Sequence, residues 1–156
     1  MTIIMDIKDL GEIGQEKGKK LCHEYFKETV FQIDWMSLTK DGIYILNEVK
    51  NQKPFDSQPW PKKYNYMEPF KGQGLPTWQV KARMRFYENT GIRCRFIVFN
   101  PLDESEVLWQ WLDILEEGLH IDTDIKFRRI YPMENFERLD YHIAIRIFGL
   151  EESRLF

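Results

Sequence analysis

Cysteine is scarce in this chain: Cys22 and Cys94 are the only two among 156 residues, far apart and in no zinc-ligand spacing. A disulfide framework and a cysteine-built metal cage are both excluded, and the usage fits a reducing cytoplasm. Histidine is equally sparse. His23, His120 and His142 are scattered, form no recognisable catalytic group and read as structural. There is no internal repeat and no glycine-rich phosphate loop. No apolar run approaches membrane-spanning length, and the opening MTIIMDIKDLGE has no basic stretch leading into an apolar one. Neither a membrane partner nor a secretory leader is expected.

What is present points to one globular domain. The chain is 43% hydrophobic and 15% aromatic, enough for a full core and too short for two. Its net charge of −3 is unevenly spread. Residues 1–49 carry six Lys/Arg against nine Asp/Glu, residues 50–100 ten against three, and residues 101–156 six against thirteen. A basic block between two acidic ones suits a local polyanion contact rather than a wholly basic binding protein.

The most informative stretch is FQIDWMSLTKDGIYILNEVKN, Phe31 to Asn51. Thr29–Thr39 and Ile43–Asn51 are rich in β-branched and aromatic residues, and Lys40-Asp41-Gly42 between them is turn chemistry. A type I turn closed by Gly42 in the left-handed region pairs Thr39 with Ile43, which sets Asp34 opposite Glu48. Gln32, Asp34, Glu48 and Lys50 then share one face at the open end of the hairpin. A two-residue loop would pair Asp34 with Val49 instead, so the register carries the expectation. Two carboxylates on one face collect a hard divalent cation, and a neighbouring lysine can orient a water and offset phosphate charge. Asp6-Ile7-Lys8 and Asp124-Ile125-Lys126 repeat the acid-x-Lys triplet without that context.

Asp34 and the triplet Glu48-Val49-Lys50 resemble the motif of the PD-(D/E)XK nuclease superfamily, in particular its small Holliday-junction-resolvase-like and phage members. The resemblance covers about Leu10 to Pro101; Ile33 stands where a proline often precedes the first acid. It implies a restriction-endonuclease-like α/β core with a central mixed sheet flanked by helices. It also implies Mg²⁺- or Mn²⁺-dependent hydrolysis of DNA phosphodiesters, with the metal held by Asp34, Glu48 and the carbonyl of Val49. Related nucleases often carry a glutamate on the first helix, four residues after a glycine. Here Gln15 follows Gly11, a metal ligand without charge. A glutamine on the helix after the triplet strand commonly faces the site, and Gln79 resembles it. Asp34, Glu48, Lys50 and Gln79 are thus the expected catalytic set, in a cytoplasm that is the host's if the chain is phage-encoded. The rival is a catalytically inactive nucleic-acid-binding or structural protein of the same fold, favoured by glutamine at position 15.

Elsewhere, Asp9 and Glu12 resemble a capping box opening a helix to about Glu28. Gln52–Pro76 is proline-rich and aperiodic, and reads as a long loop. Its Lys53, Trp60, Lys62, Lys63, Tyr66 and Lys71 interleave charge with rings, a composition suited to phosphates and bases. Pro76-Thr77 opens a second helix closed by Gly91, and its Lys81, Arg83 and Arg85 add phosphate-binding capacity. Ile92–Asn100 suits a central strand. Asp103 with Glu106 reads as the cap of a third helix carrying Val107, Leu108, Trp111, Leu112 and Leu115. Ile125–Tyr131 and Tyr141–Phe148 read as strands that extend the sheet or form a homodimer surface. The expected organisation is a single domain, 1–156, with its core at about 10–101 and a C-terminal extension at about 102–156.

Overall fold

The computed structural model describes residues 7–28, 33–56, 71–123 and 127–144. The chain divides into two compact units, Met1–Gln32 and Ile33–Phe156. The first contains helix α1 (Ile7–Glu24). Since α1 is already helical at Ile7, Asp9 lies inside it rather than capping it.

The second unit is built on two sheets. Strands β1 (Trp35–Leu38) and β2 (Tyr44–Asn51) form the expected hairpin. Gly42 adopts φ 81°, its N–H donates to Thr39 O at 3.0 Å, and Thr39 N donates to Ile43 O at 2.9 Å. The register follows from that turn: Leu38 faces Tyr44, Met36 faces Leu46 and Trp35 faces Asn47. Strand β5 (Cys94–Asn100) runs parallel to β2, and β6 (Asp103–Trp111) and β9 (Glu137–Asp140) continue antiparallel, giving the order β1-β2-β5-β6-β9. Strands β3 (Phe55–Asp56), β4 (Lys71–Pro76), β8 (Arg128–Pro132) and β7 (Ile121–Thr123) form the second sheet in that order. The class is α/β with a mixed sheet, as expected.

Helix α2 (Thr77–Thr90) begins directly after Pro76 and ends at Gly91, whose φ of 76° lets its N–H close on Tyr87 O at 2.8 Å. The third helix is placed differently from the sequence reading. Asp103–Trp111 is strand, and the helix α3 covers Leu112–Glu117 alone. Asp103 Oδ1 accepts from Ser105 N and Ser105 Oγ, a local bond two residues on, instead of capping a helix. Asn100 Oδ1 accepts from Leu102 N, turning the chain straight back into β6. Val107, Leu108, Trp111, Leu112 and Leu115 satisfy a helical spacing by coincidence, because they straddle a strand and the helix that follows it.

Two further segments depart from expectation. Lys71–Pro76 is strand rather than loop. A Cβ on Gly72 would lie 2.4 Å from Tyr131 O, so glycine is what lets β4 approach β8. Residues 141–144 are helical rather than strand, and 145–148 lie outside the described residues. The C-terminal third also contributes to the core. It supplies Leu108, Leu112, Leu115, Tyr131 and Phe136 to the core that also holds Leu46, Leu75, Val80, Phe96 and Val98. Among the described residues no helix is long and apolar enough to cross a membrane.

Candidate active site

Strand β1 pairs with β2 only as far as Trp35–Asn47, so β2 continues past its neighbour on that side. Backbone groups of alternate residues point to alternate sides of a strand. Leu46 N donates to Arg93 O at 2.9 Å and Gln52 N to Phe99 O at 3.1 Å, which assigns the even-numbered residues of β2 to β5. Val49 therefore points its N–H and carbonyl towards the β1 side, where β1 has ended. Its N–H donates to Asp34 Oδ2 at 2.7 Å. That bond fixes an exposed carboxylate beside the strand end and leaves Val49 O on the same side.

Glu48 projects to the face that carries Leu46 and, in register on β5, Phe96. It is 1% exposed. Burial raises its pKa above the usual carboxylate range; the Arg83 hydrogen bond and charge oppose this, Asp34 adds to it, and Lys50 pulls it down. Asp34 and Lys50 therefore both act on the charge of Glu48, in opposite directions. Lys50 is half-buried at the strand end.

Arg83 is the residue that sequence reasoning misplaced. Expected among the phosphate contacts, it is 3% exposed. Its Nε donates to Glu48 Oε1 at 2.7 Å, and its Nη2 lies 2.5 Å from the same oxygen. A surface arginine can wait for a phosphate; a buried one beside a buried acid is held there by the cost of leaving either charge alone. The available signal was spacing: Arg83 follows Gln79 by one helical turn, so the two share a face. Gln79 is half-buried, and its Oε1 is buried with no hydrogen-bond partner.

The remaining expected residues divide three ways. Lys53, Lys71 and Lys81 are exposed, as a nucleic-acid contact requires. Trp60, Lys62, Lys63 and Tyr66 lie outside the described residues. Gln15 is exposed on α1 and belongs to the first unit. Cys94 is buried and its thiol is pushed up to about 12, chiefly by burial, so it is no nucleophile.

Among the described residues no group of three or more His, Cys, Asp or Glu side chains could hold a metal. The groups that would hold one near the end of β2 are Asp34, Glu48 and the carbonyl of Val49, all oxygen donors. That set fits Mg²⁺, which takes one or two carboxylates and keeps several waters. With Oε1 engaged by Arg83, Glu48 would offer an ion its second oxygen alone. No family model, no curated protein and no solved structure matches this chain.

Proposed function

We propose that this protein is a Mg²⁺-dependent nuclease that hydrolyses DNA phosphodiester bonds, acting endonucleolytically on a restriction-endonuclease-like core. The observation that carries the reading is the Asp34–Val49 bond at the end of β1. It sets an acid, a carbonyl directed to the same side and the acid Glu48 at one strand end, with Lys50 one step beyond. When bound, the divalent ion supplies Lewis-acid activation of the phosphate and a more acidic water. The chain's own residues do the rest. Asp34 and Glu48 fix the ion, Lys50 orients the attacking water and offsets charge on the phosphate, and Gln79 Oε1 accepts a hydrogen bond that holds a water in place. The exposed Lys53, Lys71 and Lys81 contact the backbone of the DNA, including branched or single-stranded forms.

A second reading, a nucleic-acid-binding protein without catalysis, draws on the Arg83–Glu48 pair, which supplies Glu48 with a cation from the chain itself. Cleavage of linear, single-stranded and branched DNA with Mg²⁺ or Mn²⁺, comparing the native protein with a variant at the exposed acid, Asp34→Ala, separates the two. Metal-dependent cutting lost in Asp34→Ala with unchanged circular dichroism supports the nuclease; DNA binding without cutting in either protein supports the rival.

A further inference from the structure

Among the described residues the two sheets have four edges, and three carry charge. Strand β9 contains Glu137, Arg138 and Asp140, β7 contains Asp122 and β3 contains Asp56. Charge on an edge is how sheets discourage pairing with another chain. The fourth edge, β1, reads Trp35-Met36-Ser37-Leu38, with neither charge nor proline. Its side chains and the apolar ones at the start of β2 are exposed: Trp35 is 47% exposed, Met36 46%, Leu38 59%, Ile43 59% and Tyr44 51%.

We infer that β1 is a homodimer interface, where a second copy of this chain pairs antiparallel with it to join the two five-stranded sheets into one. The backbone selects the register. Thr39 bonds to Ile43 across the hairpin, so the odd-numbered residues of β1 turn their N–H and carbonyl groups to β2. Met36 and Leu38 turn theirs outward. Antiparallel self-pairing then has to match even residues with even ones. Centring it on Ser37 sets Met36 against Leu38 of the second copy and Leu38 against Met36 of the second copy, using all four outward groups. The same register brings Asp34 level with Lys40 of the second copy, at both ends by symmetry. Centring on Met36 or on Leu38 loses that charge match. The edge is complementary to itself in backbone, apolar surface and charge, which is what a twofold interface requires.

A twofold perpendicular to the sheet leaves both copies' Asp34, Glu48 and Lys50 on one face. The two Asp34 residues are offset by six positions, about 20 Å at 3.3–3.4 Å per residue. This consequence rests on the proposed nuclease reading: two sites on one face address two strands of one DNA molecule. The interface itself does not rest on it.

The test is the mass of the full-length protein in solution, measured by sedimentation equilibrium over a range of concentrations, and it needs neither metal nor DNA. A reversible dimer is expected. Met36→Lys with Leu38→Lys should raise its dissociation constant by roughly 100-fold, a factor of ten for each interrupted pair, with unchanged circular dichroism. Because that variant could fail for reasons of folding, cysteine placement gives a second reading. On a Cys22→Ser background, Ser37→Cys sits on the twofold, opposite its own copy in a non-hydrogen-bonded pair about 4.5 Å apart at Cα, within disulfide range. It should oxidise to a covalent dimer, whereas Thr39→Cys, displaced along the strand from its own copy, should not. A monomer at all concentrations, a dimer indifferent to both lysines, or cross-linking at Thr39→Cys as fast as at Ser37→Cys would overturn the inference. A monomer that still cuts DNA would leave the nuclease reading standing, and a β1-paired dimer that never cuts would leave the interface standing.

Discussion

Arg83 and Glu48 form an ion pair in the interior of the second unit, Nε to Oε1 at 2.7 Å, joining the middle of α2 to the end of β2. Both side chains are almost wholly excluded from solvent. Removing one partner leaves the other charged and buried, a loss of about 3–5 kcal/mol, whereas replacing both with apolar residues of similar volume is often neutral. Arg83→Met and Glu48→Leu should therefore each destabilise strongly, and the double variant should recover most of the loss. Urea unfolding of the four proteins measures the coupling. Additive losses would show that the pair contributes nothing as a pair.

The same burial makes the pH dependence run opposite to ordinary acid denaturation. Glu48 has its pKa raised from 4.5 in the folded protein, burial being the largest cause. Above pH 4.5 the unfolded chain releases the proton while the folded chain retains it, so the folded state binds more protons. Glu48's contribution is fully present below 4.5 and is lost as pH rises through the folded value. Glu48→Gln lacks this titration. The difference in stability between native protein and variant, followed by chemical denaturation upward from pH 4.5, should shift against the native protein; a shift in its favour contradicts the burial argument.

How much of this was readable beforehand follows from how local each determinant is. Lys40-Asp41-Gly42 sets the hairpin register within a few residues, so the neighbourhood of Asp34, Glu48 and Lys50 could be deduced without the fold. Pro76 and Gly91 punctuate α2 in the same local way. Strand β4 was not legible, because Gly72 and Gly74 give it no strand-forming side chains; its reason to exist is Tyr131 on β8. Strand β6 is not legible either, because its apolar residues also fit a helix. The Arg83–Glu48 pair spans 35 positions and depends on packing α2 against the sheet; spacing within α2 puts Arg83 on the face of Gln79 and does not name its partner.

Metal should act on stability as well as on cleavage. With Asp34 and Glu48 drawn together, a divalent ion that binds only the folded state raises its melting temperature by mass action. Mg²⁺ or Mn²⁺ at millimolar concentration should raise Tm in the native protein and not in Asp34→Ala. On the proposed nuclease reading Lys50→Ala should keep the Tm response and lose cleavage, since it would remove the water-orienting cation and no metal ligand. Equal responses in all three proteins would place the metal elsewhere.

On the proposed reading the exposed lysines predict a salt signature for DNA binding. Lys53, Lys71 and Lys81 are all exposed and fall in the segment where positive charge is concentrated. Each duplex phosphate contact releases counterions, and its loss lowers the slope of log affinity against log salt by about 0.9. Replacing the three lysines together with glutamine should therefore weaken DNA binding and flatten the slope by about 2.7 if all three touch phosphate. Reversing charge at Glu104 and Glu117, also exposed but in the acidic C-terminal third, should change the slope little. Binding is measured in Lys50→Ala, so that cleavage does not consume the DNA while both acids remain. An unchanged slope in the triple variant would mean that the basic segment is a solvated surface and that the phosphate backbone is held by other residues.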